Sequence, residues 1–270
     1  MQWRLGHRMR IATAAYYLRD SVAEIGVRRT VLRTVRHVYR LAFPEKVSIH
    51  PFDVRHGVDT SGLIPKIALA SGHENDRFVT AYLGTAPSLF RDVMEHWIES
   101  LKDTPYTCSD FALMDIGCGK GRVVMMASEL PFRQVVGVEL SPLLAAIARK
   151  NLEIWGTRVH ACKDASLLNA DAVACPFPDC PLLIYMFNPF KAPVVQLLLE
   201  RLEALVLERF RIVDIVYARA EHADLFDRIA DMRLLYEGEA IYTAEDTAAD
   251  VFKTQVMDYR IYRLAAGAKP

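Results

Sequence analysis

No apolar run in this chain approaches the ~20 residues that a membrane-spanning helix needs. Its hydrophobic residues, 52% of 270, are therefore read as the material of a soluble core. Charge of one sign is also missing: Lys plus Arg number 33 and Asp plus Glu number 33, which excludes a protein that coats nucleic acid by bulk electrostatics. Five cysteines, Cys108, Cys118, Cys162, Cys175 and Cys180, are too few, too scattered and odd in number for a disulfide framework. They predict a reducing, cytoplasmic setting. Cys175 and Cys180 flank a proline-bearing stretch, but no neighbouring Cys/His pair completes a zinc site, so no metal is expected. Repeats and low-complexity tracts are absent. The short apolar patch Ile11–Leu18 is closed by Arg19 and Asp20, so a cleaved leader is not expected. The length suits one catalytic domain plus an extension.

Against these absences stands one dense motif, Phe111-Ala112-Leu113-Met114-Asp115-Ile116-Gly117-Cys118-Gly119-Lys120-Gly121-Arg122. It reads as an apolar strand ending in an acid, a glycine turn and the start of a helix. A second strand, Gln134–Glu139, follows and also ends in an acid. Together they form a nucleotide-binding half-unit. The spacing is G-x-G-x-G rather than G-x-G-x-x-G, and position 122 is Arg. Asp115 stands where a pyrophosphate would feel its negative charge. Both departures disfavour a nicotinamide dinucleotide and favour a ligand that carries a cation.

The surrounding pattern alternates. Strands are expected near 111–116, 134–139, 157–162, 181–187 and 210–217. Helices are expected over 120–129, 142–153, 191–206 and 220–230. Strands at 232–237 and 254–264 are expected to form a closing hairpin, with Glu245, Asp246 and Asp250 in its loop. This predicts an α/β fold: a mostly parallel seven-stranded sheet with helices on both faces, preceded by a helical extension. The chain divides into a basic helical extension over 1–47, a pre-core loop and helix over 48–104 that covers the active site, and a core over 105–270. In the extension, Val27, Val31, Val35, Val38 and Ala42 recur at helical spacing, and Arg29, Arg33, Arg36 and Arg40 line another face. That face is either a solvated surface or a dock for an acidic partner, RNA or anionic membrane through residues 1–46. In the pre-core segment, a helix from Pro87 to Lys102 buries Phe90, Val93, Met94 and Trp97.

D-I-G-C-G-K-G-R followed by V-V-G-V-E-L-S resembles the class I, seven-strand, Rossmann-like S-adenosylmethionine-dependent methyltransferases. The resemblance is specific from Phe111 to Leu152 and weaker through Asn188-Pro189-Phe190. It implies S-adenosylmethionine as cofactor, S-adenosylhomocysteine as product, and no metal. It places the cofactor against Asp115, Gly117, Cys118, Gly119, Gly121, Glu139, Leu140 and Asn188, with Asp115 near the ammonium and Glu139 on the ribose hydroxyls. In Lys163-Asp164-Ala165, it sets Asp164 at the adenine amino group and the Ala165 amide at a ring nitrogen. Tyr82 and Thr85 are candidates for the methionine end. Asn188, with the adjacent carbonyl, is the candidate for holding an acceptor nitrogen, although the second proline of the related N-P-P-[YF] motif is missing. Asn188 and Tyr82 are thus the catalytic candidates, and Tyr185 and Tyr217 could line a desolvated pocket for a lysine. The implied activity is methyl transfer to an amine such as a protein lysine. The alternatives are a small-molecule or RNA methyltransferase, a non-catalytic cofactor-binding domain tethered by its basic helices, and a nicotinamide oxidoreductase. The expected location is the cytoplasm, with at most peripheral membrane contact.

Overall fold

The computed structural model describes residues 48–158, 160–209 and 212–265. The basic extension expected over 1–47, and the dock assigned to residues 1–46, lie outside the described residues. Among the described residues, no helix is long and apolar enough to cross a membrane.

The sheet has seven strands. Five run parallel in the spatial order β5 (Ala165–Asn169), β4 (Gln134–Glu139), β3 (Ala112–Ile116), β6 (Leu182–Phe187) and β7 (Ile212–Ala218). Two strands complete it: β9 (Val256–Ala265) pairs antiparallel with β7, and β8 (Met232–Ile241) pairs antiparallel with β9. Strand order reverses beside β3, which pairs with β4 on one side and β6 on the other. Every residue of β3 is buried, as expected of a parallel strand covered on both faces. Leu113, Leu183, Tyr185 and Val216 share one face with helices α2 (Pro87–Glu99), α3 (Arg122–Ser128) and α4 (Pro142–Trp155). Ala112, Met114, Ile184, Met186 and Ile215 share the other with α5 (Ala192–Arg209). Period-two alternation thus sends neighbouring apolar residues into two separate cores.

Proline at the first turn starts α2 and α4, where its missing N–H costs nothing. In α2, Leu89, Phe90, Val93, Met94 and Trp97 are buried at helical spacing. Asp214, fully buried in β7, accepts hydrogen bonds from Arg263 Nε at 2.7 Å and Nη2 at 2.8 Å, and from Trp97 Nε1 at 2.9 Å. This charge-assisted clamp ties β7, β9 and α2 together.

Three expected elements differ. The described residues of 157–162 form no strand: His160 stacks on Trp155 with ring centroids 5.6 Å apart, and the two are joined by a hydrogen bond between His160 Nε2 and the Trp155 carbonyl. The third parallel strand comes later, at 165–169. The helix expected over 220–230 shortens to α6 (Ala223–Phe226). The acidic loop of the closing hairpin instead contains a helix, α7 (Ala244–Ala249), capped by the Thr243 hydroxyl, which accepts from the Asp246 amide.

Candidate active site

The carboxyl ends of β5, β4, β3 and β6 stand side by side, one strand spacing of about 4.8 Å apart, and open into a cleft of about 980 Å³ including its mouth. Its position outside the strand ends, where strand order reverses, is where open α/β sheets hold ligands.

At the β3 end, Asp115 lines the cleft and is 4% exposed. Its carboxylate accepts no hydrogen bond from any described residue. Burial, and then the charge of Glu139, push its pKa well above the ordinary carboxylate range. Asp246 is the contrast: burial also opposes its charge, but hydrogen bonds involving His50, Ser88 and Thr243 outweigh that and hold its pKa far below the usual range.

The turn after β3 places Gly117, Gly119 and Gly121 at φ 74°, 57° and 83°, in the left-handed region that favours glycine. A Cβ on Gly117 would fall 2.6 Å from Pro189 Cβ, and one on Gly119 would run into the Tyr82 ring. These glycines therefore admit the protein's own walls at close range. The amides of Gly117 and Cys118 donate to the Val138 carbonyl at 2.8 and 3.0 Å, and Gly121 donates to the Cys118 carbonyl at 2.8 Å. The Gly119 amide donates to Glu139 Oε2 at 2.8 Å. No amide of these four is left to cradle a phosphate. Cys118 also lines the cleft, its thiol pKa raised by burial and then by Asp115 and Glu139.

Glu139, at the β4 end, is 8% exposed. Its Oε1 accepts the Ser141 amide at 2.8 Å. Burial raises its pKa, and the Ser141 and Gly119 amides pull it back in part. A carboxylate offers about four lone-pair sites, so two hydrogen bonds leave room for a diol. Leu140 and Ser141 line the cleft beside it.

The structure moves the next site. Asp164 and Ala165 do not follow the third strand. Ala165 begins β5, and the Asp164 carbonyl accepts the Val135 amide at the start of β4, so both sit at the end of the sheet opposite the glycine turn. The residues that follow β5 are Ala170-Asp171-Ala172, and all three line the cleft. The signal was present in Leu167-Leu168-Asn169-Ala170-Asp171, an apolar pair running into an acid.

At the β6 end the wall is made by Phe187, Pro189 and Phe190. Asn188 is 6% exposed and left-handed at φ 41°. Its Oδ1 accepts from the Tyr217 hydroxyl at 3.1 Å, and its carbonyl accepts from Thr80 Oγ1 at 2.9 Å. The adjacent Pro189 carbonyl accepts the Thr80 amide at 3.0 Å. The groups expected to hold an acceptor nitrogen are thus engaged within the protein. Tyr82 lines the cleft, but its hydroxyl donates to the Thr60 carbonyl at 2.7 Å, and burial drives its pKa upward. It is a packed wall. The Tyr185 and Tyr217 hydroxyls are likewise pushed up by burial.

A strap formed by residues 63–83, within the pre-core segment, runs across all four strand ends. Leu69 clusters with Leu144 and Tyr82. Asn75 Nδ2 donates to Asp171 Oδ2 at 2.8 Å. Val79 bridges Phe190. The paired β1 (Leu63–Ile64) and β2 (Tyr82–Leu83) bring the strap back over Gly119. The preceding segment is fastened to the glycine turn by its two buried cations. Lys120 Nζ donates to Asp59 Oδ1 at 2.7 Å and to the Ser61 carbonyl at 2.8 Å. Arg122 Nε donates to Thr60 Oγ1 at 2.6 Å, Nη1 to the Thr85 carbonyl at 3.0 Å, and Nη2 lies 3.6 Å from Asp53. Asp53 in turn accepts from the Thr60 amide and the Thr60 and Ser61 hydroxyls.

A family model described as a methyltransferase domain matches residues 113–206, from β3 through most of α5. That stretch of the chain is a methyltransferase domain. Three curated relatives are similar to it over short stretches. A release factor glutamine methyltransferase of Geobacter sulfurreducens is 45% identical over 62 residues, 23% of this chain and 21% of that protein. A demethylmenaquinone methyltransferase of Thermus thermophilus is 38% identical over 68 residues, 25% of this chain and 28% of that protein. A tRNA1(Val) (adenine(37)-N6)-methyltransferase of Yersinia pestis is 42% identical over 52 residues, 18% of this chain and 21% of that protein. The matches thus span between 21% and 28% of those relatives. Their named substrates are a protein, a quinone and a tRNA, so the shared stretch does not determine an acceptor.

Proposed function

We propose that this chain is an enzyme that transfers the methyl group of S-adenosylmethionine to an acceptor held at the β6 end. The observation that carries the reading is Asp115, a buried carboxylate that faces the cleft with no hydrogen-bond donor of the protein's own. Ionising it is costly until a cation arrives, and the cofactor's ammonium is such a cation. The spent amides of the glycine turn argue in the same direction, because a pyrophosphate would find carboxylates there in place of donors.

Glu139 is assigned to the two ribose hydroxyls. Asp171 and Ala172 take the adenine role first given to Asp164 and Ala165. When bound, the cofactor would supply a methyl carbon activated by sulfonium; the lone pair of an amine that has given its proton to solvent would form the new bond as the C–S pair returns to sulfur. The protein's part is to hold the two reactants in line beside Phe187 and Pro189, and such positioning accounts for much of the catalysis in displacements of this kind. An amine such as a lysine side chain remains the first acceptor reading. Its support is the cleft's charge rather than Asn188. A cytoplasmic setting is supported by the five free cysteines. An acidic partner, RNA or anionic membrane at residues 1–46 remains an expectation.

Calorimetry of S-adenosylmethionine, S-adenosylhomocysteine and NAD tests the reading. Both adenosyl ligands should bind, and Glu139→Ala should weaken them by about tenfold or more, since hydrogen bonds to a charged group contribute about 1.5–3 kcal/mol. NAD should not bind. Folded wild type that takes neither adenosyl ligand would defeat the proposal. Retained adenosyl binding without turnover on any acceptor would leave a non-catalytic binding domain.

A further inference from the structure

We infer that the part of the cleft bounded by Val79, Thr80, Phe187, Phe190 and Val194 is an acceptor bay for an amine on an apolar stem, and that it refuses phosphate-bearing acceptors. The inference rests on the methyl-transfer reading above and names the substrate class of that same site.

The cleft's chemistry changes along the sheet edge. Acids stand at the ends of β5, β4 and β3, as Asp171, Glu139 and Asp115. At the end of β6 the lining turns apolar, with Phe187, Pro189, Phe190 and, from α5, Val194. The strap closes this end, since the Lys191 amide donates to the Phe78 carbonyl at 2.9 Å and Thr80 is bonded to Asn188 and Pro189. A ligand here rests on aromatic and aliphatic walls one strand away from Asp115.

Charge then selects the ligand. Among the described residues, four carboxylates line the cleft, Asp76, Asp115, Glu139 and Asp171, against a single cation, Arg122. Arg122 is 4% exposed and committed to Thr60, Thr85 and Asp53. Asp76 is satisfied by Ser71 and the Gly72 amide. Nucleic acid binding rests on Lys and Arg neutralising phosphates, and among the described residues no lining cation is available to do so. An ammonium group is drawn by the same field, and the Phe187 and Phe190 rings add to that attraction.

The test uses the full chain saturated with S-adenosylhomocysteine and follows binding of four probes by NMR. These are phenethylamine, its near-isostere 3-phenylpropionate, Nα-acetyl-lysine methylamide and a short single-stranded RNA. The amines should bind at least about tenfold more tightly than the carboxylate, roughly 1.4 kcal/mol, and the RNA should not bind at the cleft. Phe190→Ala should weaken the amines about fivefold or more, Phe190→Leu should retain most of the affinity, and S-adenosylhomocysteine affinity should not move. Val79→Arg, which adds a cation without shortening the wall, should reverse the preference toward the carboxylate. The tighter of the two amines separates a free small molecule from a protein side chain as the source. Equal affinity for the carboxylate, RNA bound at the cleft as tightly as the amines, or amine binding indifferent to both Phe190→Ala and Val79→Arg would overturn the inference. Failure of S-adenosylhomocysteine to bind would defeat the cofactor reading alone. The amine-against-carboxylate comparison, repeated without it, would still decide the bay.

Discussion

The two halves of the cleft are built by different rules. The half at the ends of β3, β4 and β5 is acidic and local. Asp115, the glycine turn and Glu139 come from one strand–turn–helix–strand stretch, and the Gly119 amide reaches Glu139 directly at 2.8 Å. The half at the end of β6 is apolar and assembled over long range. Its wall exists because Val79 and Thr80 meet Pro189 and Phe190, more than a hundred residues later. A short motif can specify the first half, because turn chemistry and strand register fix every group in it. The second depends on where a strap lands.

The sharpest test of the acidic half is Asp115→Asn. Removing the charge that meets the ammonium should weaken S-adenosylmethionine by about tenfold to a hundredfold, measured by calorimetry. The same change should stabilise the ligand-free protein at neutral pH, because a buried unpaired carboxylate is removed. The linkage has a definite sign. The folded-state pKa of Asp115 is raised, so its contribution to stability is full below the unfolded value of about 3.9 and is lost as pH rises through the folded value. Wild-type affinity for the cofactor should therefore increase with pH through that range while ligand-free stability falls. Both trends should flatten in the variant. A variant that binds normally would show that Asp115 does not serve a cation.

Gly119→Ala probes the seam between the halves. Alanine at φ 57° carries about 1–2 kcal/mol of left-handed strain, and its methyl would run into the Tyr82 ring of the strap. With about 1–3 kcal/mol for overpacking, a loss of roughly 2–5 kcal/mol is expected in denaturant unfolding. Gly121→Ala should cost less, because its Cβ would meet Ala148 at 3.4 Å, close to ordinary contact. Equal losses at both positions would mean that the strap does not press on the turn.

The same contrast explains what could be read in advance. The mostly parallel sheet with helices on both faces, the glycine turn and the strand-end place of Glu139 followed from periodicity and spacing, because each is set by neighbours in sequence. The third strand was misplaced because Val159-His160-Ala161-Cys162 has the composition of a strand, whereas His160 is tied to Trp155 at the end of α4. That single slip carried the adenine site to Lys163-Asp164-Ala165. The strap left no periodic signal at all. Its residues 65–81 are turns and short 3-10 segments held by Asp76, Asn75 and Thr80 side chains. The buried clamp of Asp214 with Arg263 was equally hidden, since only pairing of β7 with β9 brings the two together.

The corrected adenine site can be tested by a pair of substitutions. Asp171→Ala should weaken S-adenosylhomocysteine by about tenfold, through loss of one charged hydrogen bond and release of Asn75 from the strap. Asp164→Ala should leave affinity unchanged, because only its carbonyl is used, at the far end of β4. The reverse outcome would return the adenine site to Lys163-Asp164-Ala165.

The smallest effect is expected where the motif looked most catalytic. Asn188 is buried and left-handed, with Oδ1 taken by Tyr217 and its carbonyl by Thr80. Replacing it with Ala should cost about 1–2 kcal/mol in stability, from the lost hydrogen bond and the strain of a non-glycine residue without a local polar side chain. If its amide only shapes the turn, kcat should fall less than about fivefold once the protein is held folded, and KM for an amine acceptor should barely move. Asn188→Asp then discriminates between the roles. It keeps an acceptor for the Tyr217 hydroxyl and should recover stability, whereas a site that held an acceptor nitrogen through the amide would respond with a change in the pH profile of kcat. A fall in kcat of two orders of magnitude or more in Asn188→Ala, with stability intact, would return this residue to the reacting atoms and make the apolar half of the cleft a motif-built site after all.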